Sequence, residues 1–160
     1  TDIKYAKALG KSIKLLASSR LVDGKYYVLV APFMLPASHP LYPVSDVFNA
    51  VFVHGNMLGD AMFYGSGAGK LPTASAVVAD VAIEWSSEKL ELADYRQAEY
   101  RFFVRTSASK SEVEEAFGEV SYVEIPDCAE TAFVTAVMSG EKFDTAAEKL
   151  GNIINMIRVE

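Results

Sequence analysis

The sequence predicts an α+β protein: a mixed sheet with packed helices, followed by a βαββαβ unit of ferredoxin-like pattern. Three observations carry this. Asp23-Gly24 sits between two apolar runs, a strong two-residue hairpin signal. An apolar run ending at Tyr64 enters Gly65-Ser66-Gly67-Ala68-Gly69 and then a small-residue helical stretch. From Tyr100 onward, strand and helix patterns alternate as β-α-β-β-α-β.

Taken in order, Asp2 caps a short helix through Leu9, with Gly10 as its stop. A helix so short reads as the tail of a longer element. Ile13–Val22 and Lys25–Phe33 are strands around the Asp23-Gly24 turn. Pro36, Pro40 and Pro43 then punctuate a loop containing His39, because a sheet interior cannot absorb such prolines. Residues 47–53 are nearly continuously apolar, as in a strand covered on both faces, with Asn49 the exception. His54-Gly55-Asn56 turns the chain, and Asp60–Tyr64 returns into the glycines. A helix opens at Pro72, whose missing N–H is harmless at a first helical position. Its alanines let it lie close to a sheet, and Trp85 with Ser86-Ser87 marks its end.

Residues 88–100 are charged and form a connector, with a domain boundary near residue 96. The domains are therefore expected at 1–95 and 96–160. In the second, Tyr100–Thr106 is a strand. Ser109–Phe117 is a helix with a capping-box spacing from Ser109 to Glu112, stopped by Gly118. Val120–Ile125 and Thr131–Met138 are strands about a Pro126-Asp127 turn. Glu141–Leu150 is a helix stopped by Gly151, and Asn152–Val159 is the closing strand.

Composition narrows the function. The chain has 160 residues, a net charge of -6, nine Phe and eight Tyr, enough for a real core. The acidic balance argues against nucleic acid as a partner. A single cysteine, Cys128, forms no internal disulfide and fits a reducing cytoplasm. No apolar run reaches membrane-spanning length, and Thr1-Asp2-Ile3-Lys4 is not a signal peptide. The start without Met is expected of a piece of a longer protein.

The glycine stretch is the main candidate site, since a helix N-terminus offers free N–H groups and a positive dipole end. It is not a P-loop: Leu71 stands where that motif needs Ser or Thr. Nor is it the dinucleotide fingerprint, because Lys70 occupies the place of the third glycine. On glycines alone, a ligand contact and a tightly packed turn are both open. Lys70 is read as a solvated loop-edge lysine before a phosphate ligand. His39 and His54 lack metal-ligand neighbours, so no metal is expected; His39 is read first as a loop anchor. Asn49 in a buried strand must be hydrogen-bonded. Asp60 and Asp80 show no convergence, and Cys128 is read as inert.

At these residues the chain resembles a known family. His39-Pro40-Leu41, Val47-Phe48-Asn49-Ala50-Val51, Met62-Phe63-Tyr64-Gly65-Ser66-Gly67-Ala68-Gly69 and Leu71-Pro72-Thr73-Ala74-Ser75-Ala76-Val77-Val78-Ala79-Asp80 are similar, in order and spacing, to the C-terminal half of homoserine dehydrogenase. Asp2-Ile3-Lys4-Tyr5-Ala6 and Ile13-Lys14-Leu15-Leu16-Ala17 extend the match upstream. Residues 98–160 resemble, more loosely, the ACT domain appended in many bacterial members.

The resemblance implies NADPH- or NADH-dependent interconversion of aspartate semialdehyde and homoserine, on the route to threonine, methionine and isoleucine. It implies that Gly69 lies against the cofactor, with Gly67 and Ala68 shaping that wall and Thr73 and Ser75 as further neighbours. It assigns no catalytic residue here, because the family's Rossmann domain, catalytic lysine and cation loop belong to segments outside this sequence. The isolated chain is therefore expected to be inactive. Thr106-Ser107-Ala108-Ser109-Lys110 replaces the usual Asp-x-Pro-Gly-like effector turn, so a homodimerising role is favoured over threonine sensing. The alternatives are an amino-acid-sensing or oligomerising ACT-type module, and a small α/β enzyme using His39.

Overall fold

The computed structural model describes residues 1–82 and 90–160. They fall into two compact units, drawn differently from a linear cut near residue 95. One unit is Thr1–Pro36 with Leu90–Glu160; the other is Ala37–Lys89. The cause lies in strand pairing, because the N-terminal hairpin joins the C-terminal sheet.

In the first unit, α1 (Asp2–Ala8) is followed by β1 (Lys11–Val22) and β2 (Lys25–Pro36). Asp23 and Gly24 both take positive φ, which allows the tight turn between them. Asp2 is not the cap expected of it: Thr1 precedes the helix without a side-chain cap bond, and the Asp2 carboxylate is used elsewhere. Gly10 has φ +65 and ends the helix region as anticipated.

Beyond the other unit, the chain re-enters along β2. The Tyr26 N–H donates to the Glu91 carbonyl, and the Ala93 N–H donates to the Tyr26 carbonyl. A 3-10 turn over Tyr95–Gln97 is capped by Asp94, which accepts from the Arg96 N–H. Then come β5 (Glu99–Thr106), α3 (Lys110–Phe117), β6 (Val120–Tyr122), β7 (Thr131–Thr135), β8 (Met138–Ser139), α4 (Gly140–Leu150) and β9 (Ile153–Val159); β3 and β4 belong to the other unit. The capping box of α3 is formed in both directions by Ser109 and Glu112. Gly118 and Gly151 stop α3 and α4 with positive φ.

The main sheet runs β1-β2-β9-β5-β7-β6, with β8 pairing β5. Its last four strands stand as fourth, first, third and second of a βαββαβ order, the split arrangement that pattern predicts. The join to the hairpin is parallel, with Phe33 beside Arg158 and Met34 beside Val159.

Both faces of this sheet are covered at its centre. Phe33, Met34, Leu35, Phe102, Phe103, Val104 and Phe133 are fully buried. On one face the Phe102 ring stacks 4.3 Å from that of Phe143 of α4. On the other, Tyr5 of α1 lies 5.3 Å from Phe103, ring centre to ring centre. Met34, Ala132, Ile157 and Val159 complete that second layer.

The second unit contains the hairpin β3 (Phe48–Gly55) and β4 (Gly59–Ser66), then α2 (Lys70–Ala82). The end foreseen for this helix at Trp85-Ser86-Ser87 lies outside the described residues. The expected two-sided cover of β3 is not found: Val51 and Val53 are exposed, and so is Asn49. Among the described residues of α2, none is buried, so the close helix-on-sheet packing expected of its alanines is also not seen. Among the described residues, no helix is long and apolar enough to cross a membrane.

Candidate functional site

The glycine corner is built by the end of β4 and the start of α2. The strand continues further than its apolar run, because Gly65 pairs with Asn49 and Ser66 with Phe48 across the hairpin. The Phe48 and Tyr64 rings stack 4.9 Å apart and stiffen that end. The Gly67 N–H then donates to the Val47 carbonyl over 3.0 Å. A Cβ on Gly67 would stand 1.6 Å from Asn49 Nδ2. Any side chain at Gly67 would have to displace that of Asn49, which is exposed and crosses the glycine rather than taking the buried, hydrogen-bonded role expected for it.

Gly69 requires glycine for another reason. Its φ is +118, outside the range side chains readily adopt. A Cβ there would meet only Pro72, at 3.6 Å. The Thr73 N–H donates to the Gly69 carbonyl over 3.1 Å, closing the first turn of α2. Lys70, not Pro72, is the first helical residue. Pro72 stands third, still within the turn whose N–H groups have no helical partner. Residues 67–71 are all exposed. Ala68 and Gly69 thus form a strip of backbone with no side chain larger than a methyl group, bounded by Gly67, whose Cβ side is taken by Asn49, and by the free N–H groups of Lys70 and Leu71.

The other candidates separate from this corner. Asp60 faces His54 across the hairpin, 2.6 Å from its Nδ1, at the opposite end of β4 from the glycines. Asp80 is exposed on α2. His39 Nδ1 accepts from the Leu41 N–H at 3.1 Å, and its ring meets that of Phe52 edge-on at 5.7 Å. His39 therefore anchors its own loop, the reading put first for it. Among the described residues, no group of three His, Cys, Asp or Glu side chains could hold a metal ion.

A second cluster, in the first unit, escaped the sequence. Arg105 is almost buried; its Nε and Nη2 donate to both Glu130 oxygens at 2.7 and 2.8 Å. Its Nη1 donates to Asp2 Oδ1 at 2.6 Å. Asn155 donates to the other Asp2 oxygen. The Cys128 thiol donates to Glu130 Oε1 at 3.1 Å. Arg105 hydrogen bonds hold the Glu130 carboxyl below its usual range. Burial, then Cys128 and Glu130, raises the Tyr5 phenol. A cavity of about 260 Å³ opens beside Tyr5, Cys128 and Glu130, with Lys110 and Tyr122 on its wall. No motif spacing signals this cluster, since Asp2 and Arg105 are 103 residues apart.

Comparison with known proteins bears on the glycine corner directly. A homoserine dehydrogenase family model matches residues 1–82, which include β3, β4, the glycine strip and α2. The chain belongs to the homoserine dehydrogenase family. It is 43% identical over 89 residues to the homoserine dehydrogenase of Bacillus subtilis, covering 56% of this chain and 21% of the relative. To that of Neisseria gonorrhoeae it is 50% identical over 80 residues, 50% of this chain and 18% of the relative. The chain thus spans about a fifth of the length of these relatives.

Solved homoserine dehydrogenase structures match further. That from Thiobacillus denitrificans superposes with a TM-score of 0.80 at 22% identity, covering 99% of this chain and 44% of the other. At this identity the likeness speaks for the fold. That of S. aureus at pH 6.5 gives a TM-score of 0.69 at 29% identity, again over 99% and 44%. The shared architecture therefore extends past residue 82, through the C-terminal sheet that the family model does not reach.

Proposed function

We propose that this chain supplies one wall of the nicotinamide site of an NAD(P)-dependent homoserine dehydrogenase, through Gly67, Ala68 and Gly69. In this reading it works within a larger cytoplasmic enzyme that interconverts aspartate semialdehyde and homoserine for threonine and methionine synthesis. The observation that carries it is the open glycine strip between β4 and α2, inside the segment matched by the family model. The strip fits the group at Gly69, where a planar ring can approach the backbone closely because no side chain intervenes. Bound there, the nicotinamide supplies the hydride chemistry. The chain's own part is placement. Gly69 holds the turn open, the Val47 carbonyl fixes Gly67 through its N–H, and α2 begins beside the strip with unpaired N–H groups.

The exposed Val51, Phe63, Val78 and Val81 support a role inside a larger assembly, since broad apolar faces mark interaction surfaces. The isolated chain is expected to show no aspartate semialdehyde reduction in an NADPH or NADH absorbance assay. In the complete dehydrogenase, Gly69→Val is expected to raise the cofactor KM roughly tenfold or more, a loss of about 1.4 kcal/mol of binding. An unchanged cofactor KM in a folded variant overturns the assignment.

Residues 96–160 we read as an ACT-like domain that assembles rather than senses, beside residues 1–95 as the C-terminal portion of the catalytic and dimerisation domain. Support comes from the loop after β5, whose donors are already spent. The Ser107 N–H donates to the Asn152 carbonyl, the Ala108 N–H to Thr106 Oγ1 and the Ser109 N–H to Glu112. An amino-acid effector would find no free backbone donor on those three residues. Titration calorimetry with threonine is expected to be silent while light scattering reports a homodimer. Saturable heat with threonine would instead establish a sensor.

A further inference from the structure

Arg158 breaks the pattern set by the other well-placed cations of its unit. Arg105 has two carboxylates, and Arg20 reaches Glu160 at 2.6 Å. Arg96 pairs with Asp94, Lys110 with Glu124 and Lys149 with Glu115. Arg158, in β9, has no ion pair among the described residues, although it is partly buried. Its Nε is sealed from solvent without a hydrogen-bond partner. Ordinarily a buried charge or donor is paired, because losing hydration without compensation is costly.

The guanidinium is instead held by aromatic rings. Its carbon lies 5.6 Å from the centre of Tyr100 and 5.7 Å from that of Phe102. Both rings are buried. A second guanidinium, that of Arg20, lies 4.9 Å from the same Tyr100 ring. Two guanidinium groups thus lie against the Tyr100 ring, and among the described residues the Glu160 carboxylate pairs with Arg20 and not with Arg158. Asp144 and the Tyr95 and Tyr100 hydroxyls influence Arg158 only through space, and burial is the main effect on it. A guanidinium held between two buried rings that stand 74° to one another loses less freedom when its donors bond an oxyanion.

We propose that Arg158, flanked by Arg20 on the Tyr100 ledge, is a binding site for a small oxyanion, a carboxylate or a phosphate. The ligand takes the terminal guanidinium nitrogens, since Nε is sealed, and Tyr100 and Phe102 hold the group in place. The site is independent of the glycine strip and of the cofactor reading.

The test is a titration of the 160-residue chain with sodium phosphate and, separately, sodium acetate, at constant ionic strength. The reporter is the Arg158 Nε–H resonance, identified by its loss in Arg158→Lys. A saturable shift is expected in one series or both: phosphate alone assigns a phosphate ligand, acetate alone a carboxylate. Arg158→Lys keeps the charge and removes the fork, so its affinity, followed by thermal shift, is expected to fall roughly tenfold. Non-saturating shifts in both series overturn the proposal, as does a folded Arg158→Lys variant that binds within about twofold of the native chain. If that variant does not fold, the titration of the native chain decides alone.

Discussion

Two apolar stretches of similar composition meet opposite fates in this chain. Phe33-Met34-Leu35 in β2 is fully buried, whereas Val51 in β3 and Phe63 in β4 are 61% and 67% exposed. The difference is not in the strands but in what pairs with them and covers them. The end of β2 has β9 at its side, α1 over one face and the Tyr100 ring against Phe33. Among the described residues, the β3-β4 hairpin pairs only its own two strands. Hydrophobicity along a strand shows that a face is to be covered; it carries no information about which segment does so.

That contrast can be tested by removing apolar groups from each region. The largest effect is expected for Phe103→Ala, which empties a fully buried site between α1 and the sheet and costs about 3–5 kcal/mol. Urea unfolding followed by far-UV circular dichroism measures it. A loss below about 1 kcal/mol would mean that the β5 core collapses without cost.

A smaller loss is expected for Arg105→Met. It leaves Glu130 and Asp2 without their shared cation, at a cost of about 2–3 kcal/mol, below the full value for a buried pair because Asp2 keeps some solvent. The same variant has a pH signature. Arg105 lowers the folded-state pKa of Glu130, so the stabilisation is present above the unfolded carboxyl value of about 4.3. It is lost as pH falls from there through the folded value. Arg105→Met should flatten that acid-side decline, and an unchanged slope would remove Glu130 as its source.

The smallest effect is expected in the other region. Val78→Ser on α2 changes an exposed residue and should alter the stability of this chain by no more than about 0.5 kcal/mol. A loss comparable with Phe103→Ala would show that the face is covered in solution.

Local chemistry was legible in the sequence. Asp23-Gly24, the Ser109–Glu112 box, and the stops at Gly10, Gly118 and Gly151 were readable because each depends on neighbouring residues alone. The βαββαβ order was readable for the same reason, element by element. Long-range pairing was not. Asp2 resembles a helix cap in sequence, yet its oxygens go to Arg105 and Asn155, which no local rule can name. Gly67 reads as a ligand-facing glycine, and only the structure shows Asn49 lying across it. Pro72 was expected to open α2, but the positive φ of Gly69 starts the helix two residues earlier. Arg158 carried no signal at all, because an unpaired cation is recognised only when its surroundings are known.

The parallel join of β2 to β9 has a consequence for how the chain reaches this state. Phe33 and Arg158 lie side by side although about 125 positions separate them. Closing so long a loop takes entropy before any contact repays it, and folds dominated by such pairings form slowly. During synthesis the hairpin leaves the ribosome well before β9, with the edge that β9 will occupy still open. It must wait for about 125 further residues before that edge is sealed. Until then its unpaired N–H and C=O groups are available to other strands. The β1-β2 hairpin is thus the part of this fold most in need of protection during biosynthesis.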